Sequence, residues 1–161
     1  MNNPDLSNEI HLTAATAFKA MSENSLQQAR EAEAIIGSLP QLAIATDHVI
    51  HAGVYTRTVF LPKGSVITGA LIKRSTNIII SGHVIVFIGD DKAREYKGYA
   101  VIAASANRKQ VFVAKADTNL TMFFSTTSDN IKQAEEEFTS EAENLMSRQH
   151  GSINSVTITG E

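Results

Sequence analysis

Val54-Tyr55-Thr56-Arg57-Thr58-Val59-Phe60-Leu61-Pro62-Lys63-Gly64-Ser65-Val66-Ile67-Thr68-Gly69-Ala70-Leu71-Ile72 consists of two β-branched and aromatic runs separated by a break. Runs of this kind favour strands, and the break favours a turn, because Pro presets one backbone angle and Gly accepts a positive one. The stretch therefore reads as strands Val54 to Leu61 and Val66 to Ile72 around Pro62-Lys63-Gly64. The same texture continues downstream in Asn77 to Ile80, Val84 to Ile88, Tyr99 to Ala103, Gln110 to Ala114 and Leu120 to Thr126. Gly89-Asp90-Asp91 supplies another turn. Asn107 suits a further one, since Asn enters the left-handed region more readily than other residues that carry a side chain. Short strands with turn signals about every ten residues form the pattern of an all-β sandwich or barrel.

Upstream of this block, Thr13 to Ile36 is rich in Ala, Glu, Gln, Lys and Met and free of Pro and Gly. It closes at Gly37 with Pro40 beyond, which predicts one long helix. Its apolar residues Ala15, Phe18, Leu26, Ala29 and Ile36 form a thin stripe, interrupted at Ser22 to Ser25, where the helix has a place to break. Downstream, Ser128 is the expected cap and Asp129 the expected first-turn acid of a second helix. Ile131, Ala134, Phe138, Ala142 and Leu145 recur on one face of it. Glu135, Glu136, Glu137, Glu141 and Glu143 fall opposite and are expected in water. In the tail, Val156, Thr157 and Ile158 can add an edge strand to this chain or to a neighbour. The expected organisation is a helical segment at 1–46, a β-barrel at 47–127, a helix at 128–148 and a tail at 149–161, within the one domain that 161 residues suit.

Composition removes several function classes. A net charge of -3 with scattered Lys and Arg gives no general attraction to phosphate, so nucleic acid is not an expected partner. The absence of cysteine excludes a disulfide scaffold, a thiolate nucleophile and cysteine-ligated metal. No apolar run approaches the roughly 20 residues that cross a bilayer, and Met1 to Ser7 is polar, unlike a secretory signal. The expectation is a soluble protein made in the cytoplasm, without a membrane partner. There is no Gly-x-Ser-x-Gly elbow, no Walker-type loop and no Gly-rich dinucleotide fingerprint. Asp90 and Asp91 are read as turn formers, not as an acid–base pair.

The succession of Gly53-Val54-Tyr55-Thr56-Arg57, Phe60-Leu61-Pro62-Lys63-Gly64 and Asn77-Ile78-Ile79-Ile80-Ser81-Gly82 resembles small cupin-like (RmlC-like jelly-roll) proteins encoded by tailed bacteriophages. The resemblance runs from about Asp47 to Met146. It implies a mainly β fold, a cupin-like double-stranded β-helix flanked by an N-terminal and a C-terminal helix. Cupin enzymes place two histidines and a carboxylate after the Pro-containing turn and a further histidine in a later strand. The equivalent stretches here are Gly69-Ala70-Leu71-Ile72-Lys73-Arg74-Ser75-Thr76-Asn77 and Asn107-Arg108-Lys109-Gln110-Val111, and neither holds His, Asp or Glu. Aliphatic and cationic side chains do not ligate a divalent ion. No metal and no cofactor are expected.

The resemblance thus implies a non-enzymatic, metal-free phage protein, a structural or accessory homo-oligomer that is virion-associated and made in the host cytoplasm. Its expected partners are copies of itself and other phage structural proteins. A second expectation is an anionic-ligand binding module, if Arg57, Lys73 and Arg108 converge at a barrel mouth. Leu71, Ile79 and Phe112 would oppose it by plugging the barrel, as would Ile72 and its neighbours. A third is a cupin enzyme with displaced ligands at His48, His51 and His83; a surface or strand-entry role suits these histidines better, and His11 and His150 stand apart.

Overall fold

The computed structural model describes residues 17–160. Strands β1 (Ala45–His51), β2 (Val54–Leu61), β3 (Val66–Thr68), β4 (Thr76–Gly89), β5 (Lys92–Ala104), β6 (Val111–Ala114), β7 (Thr118–Ser125) and β8 (Ile153–Ile158) form one sheet. Helix α1 (Glu23–Gly37) precedes them, and α2 (Ile131–Phe138) with two short 3-10 turns, Ala142–Asn144 and Met146–Arg148, separates β7 from β8. Among the described residues no helix is long and apolar enough to cross a membrane.

The path β3-β6-β4-β7-β2-β1-β8, with β5 on the free side of β4, turns on a single strand. The first half of β4, Asn77 to Ser81, pairs with β7, and its second half, Val84 to Phe87, pairs with β6. The two halves were expected as separate strands; they are one strand bent at Gly82, where φ is 146° and a Cβ would collide with Thr118. Only glycine permits this approach, and the bend lets one sheet curl back on itself. The result is a mainly β fold, one sheet curled into a half-barrel and flanked by two helices. At the other end of β4, Asp90 and Asp91 take positive φ, as does Asn107 at the turn expected there.

Alternation decides what fills the barrel. On β4 it is Ile78 and Ile80 that are buried, while Ile79, expected as a plug, lies on the other face. Together with Phe18, Leu61, Val84, Val86, Ile102 and Phe112 they make the main core. A second core joins Ile50, Tyr55 and Phe124 of the sheet to Ala134, Phe138, Ala142 and Leu145. Tyr55 and Phe138 stack there at 6.3 Å.

The helices depart from expectation at their ends. Ser22 caps α1 through the Ser25 N–H, so the helix begins at the polar stretch, and Thr13 to Thr16 lie outside the described residues. Phe18 is extended, bridged to Ala104 and buried against Tyr96. The cap of α2 is Asn130, whose side chain accepts from the Gln133 N–H, whereas Ser128 donates to Glu137. Helical geometry stops at Phe138, because Thr139 is extended, and does not run to 148. Strand β1 was not foreseen, and strand β3 stops at Thr68, leaving Ile72 in isolated bridges to Arg108 and Thr139. The tail strand β8 pairs in parallel with β1 of the same chain, and all six of its residues are exposed.

Candidate functional site

Between the curled sheet and the segment that follows α2 lies a cavity of about 150 Å³. Val59, Ile78, Leu120 and Met122 supply its sheet wall, Gly69, Ala70, Ile72 and Phe112 the opposite wall, and Phe138, Leu145 and Met146 its cover. An engineered apolar cavity of about this size holds benzene. The expectation of a filled barrel is therefore corrected. Phe112 borders the cavity without plugging it, Ile72 contributes wall, and Leu71 and Ile79 are not on the lining.

Two of the three expected basic residues meet at this cavity. Arg57 and Arg108 both line it; Lys73 does not, and its side chain is exposed. The two guanidinium groups have opposite surroundings. Arg57 donates through Nη1 to Glu135 Oε1 at 2.9 Å and to Ser147 Oγ at 3.0 Å. Glu135 in turn accepts from Arg148 Nε at 2.7 Å, and Arg148 continues to Glu143 at 2.7 Å and Glu136 at 3.7 Å. Arg57 is thus a clamp that fastens α2 and the 3-10 turns onto β2.

Arg108 is 1% exposed and forms no ion pair among the described residues. Its Nη1 donates to the Ser105 carbonyl at 2.5 Å and more distantly to those of Ala104 and Arg74, and Nη2 donates to Thr76 Oγ1 at 2.7 Å. Its Nε has no hydrogen-bond partner. Burial pulls its pKa down to about 10, which still leaves it charged at neutral pH. Thr46 of β1 lines the same cavity, is equally buried, and its Oγ1 also lacks a partner. A buried guanidinium without a carboxylate and a buried hydroxyl without a partner are both costly arrangements.

The acidic residues expected in water are largely folded into such clamps. Glu135 is 2% exposed. Glu137 accepts from Arg74 at 2.8 Å and from Thr126 and Ser128. Glu141 accepts from the Leu71 N–H at 2.9 Å and from Lys109 Nζ at 3.0 Å. For Glu137 and Glu141 burial alone would raise the pKa. The Ser128 and Thr126 hydroxyls with Arg74 outweigh it at Glu137, and the Leu71 N–H with Lys109 does so at Glu141, so both carboxyls fall below their ordinary value. Lys109, fully buried, reaches Glu33 of α1 at 2.9 Å as well. Only Glu136 and Glu143 keep to the solvated face.

The histidines do not converge. His48 is buried on β1, with Nδ1 at 2.8 Å from the Tyr55 hydroxyl and Nε2 at 3.2 Å from Asn154 Oδ1. Asn154 Nδ2 donates to the Ser147 carbonyl, which leaves its oxygen for the imidazole; Nε2–H donates and Nδ1 accepts from Tyr55. Burial, then Arg57, lower the His48 pKa, and burial pushes the Tyr55 hydroxyl up to about 12. His51 bonds to Thr159, and His83 pairs with Glu95 at 2.6 Å on β4 and β5. Among the described residues no three His, Asp or Glu gather as metal ligands, and no histidine lines the cavity.

Fold and site together define a curled β half-barrel whose cavity carries a buried guanidinium without a counter-charge among the described residues. No family model matches the chain, and no curated protein matches it. Among solved structures it is similar to an RmlC-like cupin family protein with a double-stranded β-helix fold from Methanocaldococcus jannaschii, at 14% identity over 52% of this chain and 80% of that one, with a TM-score of 0.43. It is also similar to KdgF from Halomonas sp., at 18% identity over 57% and 88% of the two chains, with a TM-score of 0.44. A cupin superfamily protein from Desulfitobacterium hafniense DCB-2 shares 9% identity over 57% and 87%, with a TM-score of 0.42.

Proposed function

We propose that this protein is a binding module that holds a small anionic organic molecule inside its barrel, without metal-dependent catalysis. The observation that carries the reading is Arg108. It is a charged, buried side chain on the wall of a mostly apolar cavity, with no carboxylate partner and with Nε unbonded among the described residues. A ligand carboxylate would supply the missing charge, and apolar carbons would occupy the space bounded by Val59, Leu120 and Phe112. Among the described residues the wall offers no imidazole, which supports binding over catalysis.

Titration calorimetry of the full chain with hexanoate tests this. Saturable one-to-one binding is expected, lost in Arg108→Met and kept in Lys73→Ala. Binding that survives Arg108→Met unchanged would refute the assignment.

One feature favours a second reading, the assembled accessory component of a virion that the phage resemblance implies. Strand β8 is an uncharged edge strand with Ile153, Val156 and Ile158 exposed, and it lacks the Lys, Pro or bulge that usually guards an edge. Light scattering would give a multiple of the chain mass that drops to the monomer in Val156→Lys. A wild-type monomer would remove this reading and leave the binding module standing.

A further inference from the structure

The charges around the cavity do not cancel locally, and the pattern of what is left over points to the kind of ligand. Arg57 is neutralised within its own cluster by Glu135. Arg108 is not neutralised, which leaves one positive charge among Thr76, Ala104 and Ser105. Elsewhere on the wall, Glu33 and Glu141 share the single ammonium of Lys109, which leaves one negative charge. Arg30, which also attracts Glu141, is itself paired with Glu23 at 3.4 Å and so does not cancel that surplus. The two surpluses are not in direct contact, because neither Glu33 nor Glu141 forms an ion pair with Arg108. The rest of the lining is mostly hydrocarbon, including Ile72, Phe112 and Leu145. Glu33 is partly exposed and Asn144 is exposed, which sets the acidic end at the opening, while Arg108 is closed off from solvent.

We infer that the ligand is an amino carboxylate whose two charges are separated by a short apolar chain, its carboxylate at Arg108 and its ammonium at Glu33 and Glu141. This rests on the barrel cavity being a binding site and deepens it. A simple anion would satisfy Arg108 but would pass two carboxylates on entry and leave their surplus unmet. A simple cation would meet the rim and leave the guanidinium alone. A cavity of about 150 Å³ limits the chain between the charges to roughly six carbons.

Three probes with the same six-carbon skeleton separate the possibilities by calorimetry: hexanoate, 6-aminohexanoate and hexylamine. The expected result is 6-aminohexanoate binding about tenfold or more tighter than hexanoate, the factor a further charge-assisted contact supplies, with hexylamine weakest. Glu33→Gln, at a partly exposed side chain, should bring 6-aminohexanoate down to the level that hexanoate reaches in the same variant. Equal binding of hexanoate and 6-aminohexanoate would overturn the inference and leave the anion-binding reading intact. An unchanged preference for 6-aminohexanoate in Glu33→Gln and in Glu141→Gln would also overturn it. Absence of binding by all three probes would overturn both readings.

Discussion

Arg57 and Arg108 are both buried guanidinium groups on the wall of one cavity, yet they serve opposite ends. Arg57 meets a carboxylate that a second arginine also holds, and Ser147 completes the set. Among the described residues Arg108 meets carbonyls and a hydroxyl only. A buried ion pair holds elements in place but has nothing left to give a ligand, whereas a buried cation without a counter-charge costs the empty protein stability that a bound anion restores. Burial of a charge therefore does not by itself mark a site. The state of its partner does.

The comparison can be broken most forcefully at Glu135. Glu135→Ala leaves Arg57 without a carboxylate in the interior, while Arg148 keeps Glu143 and Glu136, and a loss of about 3–5 kcal/mol is expected by urea denaturation, the range for a broken buried pair. Arg108→Met removes hydrogen bonds but also relieves the cost of a buried charge without a counter-charge, so the expected loss in the empty protein is smaller, at most about 1–3 kcal/mol. If Arg108→Met is the more damaging of the two, the assignment of clamp and binder is reversed.

Thr46→Val sharpens the other side. The variant deletes a buried hydroxyl without a partner at nearly constant shape, so the empty protein should be unchanged or up to about 1 kcal/mol more stable, while hexanoate binding weakens or holds. A clear destabilisation would mean that Oγ1 has a role in the empty fold.

His48 gives the smallest effect, read as a slope against pH. Its folded pKa lies below its unfolded value, so its contribution is present above about pH 6.5 and is lost as pH falls toward the folded pKa. Urea midpoints should decline through that window in the wild type and less in His48→Gln. Glu137 and Glu141, also lowered, add a further loss only in the more acidic carboxylate range, which keeps the two contributions apart.

Much of this could be read along the chain, because it depends on near neighbours. The turns at Pro62-Lys63-Gly64 and Gly89-Asp90-Asp91, the left-handed Asn107, the apolar face of α2 and the tail strand all follow from local preference. Errors arose where a distant partner decided. Gly82 joins two expected strands into one because Thr118 passes close beside it. Glu135, Glu137 and Glu141 leave the water because Arg57, Arg74 and Lys109 wait for them across the barrel mouth. A run of isoleucines does not say which parity faces inward, and it is Ile78 and Ile80, not Ile79, that are buried.

The sequence by itself determined that this is a β-rich chain without cysteine chemistry. Only the tertiary structure decided that Arg108 stands alone while Arg57 is paired, and that a cavity survives between them. The reason is physical: propensity and alternation act over a few residues, whereas charge compensation and empty volume are set by groups brought together from strands and helices far apart in the chain.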